Sequence, residues 1–150
     1  MSIATGIVAG EPYTRLDEIK SLVKAFESCL LPRGEWTHRA HLTIALWYLL
    51  HHDKEEATVL IRKGIKRFNG AKGITTERRG YHETITLFYI HIVSKHLRES
   101  RAEISIINLV NKLMQTYGEK SLPFEYYSKE RLMSVEARVA WLEPDLKRLD

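Results

Sequence analysis

Two stretches decide how this chain is read: Trp36-Thr37-His38-Arg39-Ala40-His41-Leu42 and Gly80-Tyr81-His82-Glu83-Thr84-Ile85-Thr86. Each stands at the start of an amphipathic helical pattern, so the fold is argued from helices and from the residues that begin and end them. The first opens a helix over Thr37 to His51, with Leu42, Ala45, Leu46 and Leu49 as its inward positions. The second opens a helix over about Tyr81 to Leu97, with Ile85, Phe88 or Tyr89, Ile92 and Val93 on its apolar face. Thr75 and Thr76 are a competing cap that would start this helix a turn earlier.

Working outward, Leu16, Ile19, Val23, Phe26 and Leu30 mark a helix from about Tyr13 to Leu30. Thr14 and Asp17 are spaced as its capping pair, and Pro32 and Gly34 stop it. Asp53 and Glu56 form a capping box for a helix carrying Ala57, Leu60, Ile61, Ile65 and Phe68, which Asn69-Gly70 ends. Ser100 and Glu103 form the clearest box in the chain, opening a helix on Ile104, Ile107, Val110, Leu113, Met114 and Tyr117. Five helices with short connections predict an all-α single-domain bundle spanning 1–150. Residues 1–12 lack periodicity and read as a loosely held arm. In residues 119–150, Pro123, the cluster Phe124 to Tyr127, and the caps Ser128 and Ser134 predict a strap containing two short helices.

The 150 residues suffice for a real core, and the single cysteine, Cys29, excludes an intrachain disulfide and a cysteine-based zinc site. No signal-like segment or membrane-length apolar run is present, so a cytoplasmic protein is expected. The net charge is +4, and between Arg62 and Arg79 seven Lys/Arg stand against one acid, Glu77. Such a segment reads either as a solvated helix face or as a contact for nucleic acid or another acidic partner.

In an up-and-down bundle the second and fourth helices run parallel, which brings His38, His41 and His82 to one end. The expectation is a His-rich polar pocket in which these three hold a divalent metal, zinc, iron, manganese or nickel, with a position open for water or a small anionic ligand. Glu35-Trp36-Thr37-His38 has Glu-x-x-His spacing, and Glu83 follows His82, so Glu35 and Glu83 are the candidate bases for hydrolysis or proton transfer. Tyr89 is a candidate hydrogen-bonding group, and Arg131 and Arg138, seven apart, would clamp an anion if one helix ran through Met133. The competing reading makes the histidines core-edge residues bonded to carbonyls, threonines or Glu83, and makes the arginines partners of nearby glutamates. A homodimer surface through Phe124 to Tyr127 and Trp141 is a third expectation.

Trp36-Thr37-His38-x-Ala40-His41-Leu42, Gly80-Tyr81-His82-Glu83-Thr84-Ile85-Thr86 and Trp141-Leu142-Glu143-Pro144-Asp145-Leu146 together resemble a group of small bacterial proteins of uncharacterised function, over about Phe26 to Leu146. The resemblance implies a helical fold and carries no activity, substrate or catalytic residue.

Overall fold

The structure is a computed structural model that describes residues 11–74 and 80–150. Among them are seven α-helices and two 3-10 turns, and no strand. The all-α reading therefore holds.

The central element is α2, His38–His51. Thr37 caps it, its hydroxyl accepting from the Ala40 N–H at 3.2 Å. Ala40, Leu42, Thr43, Ile44, Ala45, Leu46 and Tyr48 are all buried, so this helix is covered nearly all round rather than along one stripe. The cover comes from α1 (Leu16–Glu27), α3 (Lys54–Ala71), α4 (Glu83–Glu99) and α5 (Ile106–Tyr117). At the α1–α3 crossing the ring of Phe26 lies over Gly64, where a Cβ would sit 2.8 Å from Phe26 Cε2. Only glycine allows that approach.

Several helix ends differ from the sequence reading, each because another group satisfies the terminal backbone first. Glu18, not Asp17, takes the N–H groups of Thr14 and Arg15, at 2.9 and 2.8 Å. Tyr13 stands outside the helix, its backbone exchanging two 2.9 Å bonds with the Asn111 side chain. Helix α1 ends before Pro32, because Cys29 turns left-handed at φ 60° and Leu30 and Leu31 both bond back to the Ala25 carbonyl. That reversal exposes Leu30, expected in the core, and buries Leu31. Helix α3 continues past Asn69-Gly70 to Ala71 and ends at Lys72 and Gly73, whose φ is 68°. The Ser100 box does not form. Ser105 caps α5 instead, Glu103 accepts from the Ser105 N–H, and Ile104 is left exposed.

Residues 119–150 run as a strap across α4. It contains the turn Leu122–Glu125, α6 (Lys129–Leu132) and α7 (Val135–Val139), with Ser128 and Ser134 capping the two helices as expected. Tyr126, Tyr127 and Leu132 bury themselves on Phe88 and Ile92 of α4, forming a second apolar cluster. No helix among the described residues is long and apolar enough to cross a membrane.

A cavity between the starts of two helices

The N-terminal halves of α2 and α4 face one another across a cavity of about 310 Å³. His38, His41, Leu42 and Ala45 line it from α2; Ile85, Thr86, Tyr89 and Ile90 line it from α4. Ile61 and Ile65 of α3 and Trp36 close its sides, and Lys120, from the start of the strap, stands at its edge. The surround is aliphatic and aromatic, with few polar groups, the composition of a small-molecule pocket.

His38 is the unusual member. Its Nε2 is buried and has no hydrogen-bond partner among the described residues, while the ring meets Tyr89 edge-on with centroids 5.0 Å apart. Burial first, then His41 and Lys120, drive its pKa from 6.5 to about 4, so at neutral pH it is uncharged. His41 is treated similarly by burial, against the Thr37 carbonyl and with Lys120, and also falls to about 4. Its Nδ1 lies 2.7 Å from that carbonyl and therefore donates, which leaves Nε2 as an acceptor. Its ring packs on Trp36 with centroids 3.7 Å apart.

His82 has a different role from the one the sequence suggested. It is the N-cap of α4: Nδ1 accepts from the Ile85 N–H at 3.1 Å and Nε2 donates to the Leu132 carbonyl of α6 at 2.8 Å. With both nitrogens engaged, no lone pair remains for a metal. Thr75 and Thr76, the alternative caps, lie outside the described residues. Glu35 sits exposed in the turn Arg33–Glu35, and because α2 begins only at the Thr37 cap, Glu35 and His38 share no helical face. Glu83 leaves the histidines altogether and forks onto Arg62 of α3, at 3.0 Å to Nε and 2.8 Å to Nη2. Burial alone would raise its pKa; Arg62 and the Tyr81 hydroxyl outweigh burial and hold it below the carboxylate norm, a poor setting for a base. Among the described residues no group of three His, Cys, Asp or Glu side chains is placed to hold a metal ion, and His82, with both nitrogens bonded elsewhere, is not free to join His38 and His41.

The two arginines also separate. The chain breaks helix at Met133 and restarts at the Ser134 cap, so Arg131 and Arg138 do not share a face. Arg131 donates from Nε to the Glu143 carbonyl at 2.7 Å, and Arg138 donates from Nη1 to the carbonyls of Gly80 and Tyr81 at 3.1 and 3.4 Å. Tyr89 does line the cavity, with its hydroxyl 3.4 Å from the Glu119 carbonyl. Of the basic segment, Arg62 is paired, Lys66 lies over the Tyr81 ring, and Lys72 lies over Phe68; Arg78, Arg79 and Glu77 are outside the described residues.

Sequence reasoning missed Lys120, Ile61 and Ile65. The two isoleucines were read only as core positions, and Lys120 stands in a connector with no periodicity, so no local pattern pointed to it. The fold and site thus define an all-α protein with an apolar cavity and an unpaired imidazole nitrogen in its lining. No family model, curated protein or solved structure matches the chain.

Proposed function

We propose that the cavity between α2 and α4 binds a compact, mainly apolar small molecule that carries one anionic group. The observation behind this reading is the buried His38 Nε2, without a hydrogen-bond partner among the described residues, in a cavity lined mainly by apolar side chains. A buried polar atom costs stability unless something bonds to it, and a ligand is the partner that fits a cavity of this size. A neutral imidazole can donate or accept according to which nitrogen carries the proton, so His38 orients the ligand by hydrogen bonding. Lys120 supplies the positive charge toward which an anionic group turns, and Trp36, Tyr89 and the isoleucines take the apolar body. The chemistry these side chains offer without a further group is positioning and proton exchange through His38 and His41.

Calorimetric titration with phenylacetate and its neutral isostere phenylacetamide tests the reading. The acid binds more tightly than the amide, and Lys120→Met removes the difference. His38→Leu weakens phenylacetate about tenfold, the loss of one charge-assisted hydrogen bond. A His38→Leu protein that binds phenylacetate as well as the natural chain would overturn the proposal.

A further inference from the structure

We propose that a second cleft, beside α3's last turns, is a further binding site for an organic phosphate, a phosphomonoester with an apolar organic part. This cleft, of about 1080 Å³, lies between α3, the start of α4 and α7. Three features of its lining converge on that ligand.

The first is Asn69. It is only 8% exposed, its side-chain amide has no hydrogen-bond partner among the described residues, and it lines the cleft near the end of α3. The amide is not sealed from solvent, so its donor and acceptor stand at the surface of the cleft, and the helix runs on past it to Ala71. The second is the set of donors beside it. Lys66 makes no ion pair among the described residues and rests over the Tyr81 ring at 4.9 Å, and the Arg62 fork to Glu83 uses Nε and Nη2, leaving Nη1. An ammonium, a guanidinium edge and an amide N–H together suit an oxyanion with several acceptor atoms better than a single carboxylate. The third is apolar: Val135 and Val139, one turn apart on α7, line the cleft while remaining 73% and 71% exposed. Helix α7 packs through Ala137, which turns both valines away from the core and toward the cationic side chains of the cleft. Their place beside the donors fits the apolar portion of the same ligand.

The test is titration of the full chain with phenyl phosphate and with inorganic phosphate, followed by calorimetry. Phenyl phosphate is expected to bind several-fold more tightly than inorganic phosphate. Lys66→Gln, an exposed position, is expected to weaken phenyl phosphate about tenfold, and Val139→Ser to erase the preference for the phenyl ester. Asn69→Leu should weaken binding, since it removes the amide that faces the cleft. Equal affinity for the two phosphates, or unchanged affinity in Lys66→Gln, overturns the inference. These outcomes do not depend on the α2–α4 cavity, which His38→Leu probes separately.

Discussion

A histidine nitrogen buried without a partner should be a liability to the fold, and His38 makes this measurable. Replacing it with leucine is expected to raise stability by about 1 kcal/mol while removing ligand affinity, because an unpaired polar atom gives way to apolar contact. Urea unfolding monitored by circular dichroism checks the sign; a destabilised variant would mean that the nitrogen is paired in the folded protein. The same residue sets a pH dependence. His38 and His41 have folded pKa values of about 4 against an ordinary 6.5, so between those values the unfolded chain binds more protons than the folded one. Their contribution is complete above about pH 6.5 and is lost as the pH falls toward 4. Unfolding at pH 7 and pH 5 should show a smaller decline in His38→Leu than in the natural chain. His82, in contrast, is fully bonded, and His82→Ala is expected to cost about 2–3 kcal/mol through loss of the α4 cap and of the Leu132 contact. A His82→Ala protein as stable as its parent would contradict the role given to both bonds.

At the scale of elements, the starts of α2 and α4 were legible because Thr37 and the Gly80 to Thr86 stretch announce a change from loop to helix, and both starts line one cavity. What was not legible is which group wins a contested cap. Ser100 with Glu103 has the better local pattern, yet Ser105 forms the cap, its hydroxyl accepting from the Asn108 N–H while Glu103 accepts from the Ser105 N–H and Ile104 stays in solvent. His82 was read as a ligand for the same reason: its partner, the Leu132 carbonyl, is 50 residues away and leaves no mark in local spacing. Close helix approach is similarly silent in the sequence. Gly64→Ala gains helix propensity of about 1 kcal/mol but must displace the Phe26 ring, and a net loss of about 1–2 kcal/mol is expected. Thermal unfolding of this variant gives the balance, and a rise in midpoint would show that the α1–α3 crossing yields easily.

For the whole molecule, the three motifs that stand out in the sequence are largely fastenings. Trp36 stacks on Phe26 with ring centroids 4.8 Å apart. Thr84 donates to the Ala140 carbonyl at 2.8 Å and accepts from the Leu142 N–H at 3.2 Å. Asp145 accepts from the Ser128 N–H at 2.8 Å, and Tyr127 donates to the Leu142 carbonyl at 2.7 Å. The Thr84 bonds pin the strap to α4, the other two fold it on itself, and its first residues bring Lys120 to the edge of the cavity. The sequence showed that a strap exists; where it lies depends on hydrogen bonds between residues more than fifty apart, which no periodicity records. The account rests most heavily on His38 as the polar anchor of a ligand cavity. The most direct test follows the imidazole nitrogens by NMR in ¹⁵N-histidine-labelled protein during phenylacetate titration. The expected result is a saturable shift at His38 and His41 with His51 and His52 unmoved; no shift at His38 on saturation, or shifts confined to His51 and His52, would contradict it.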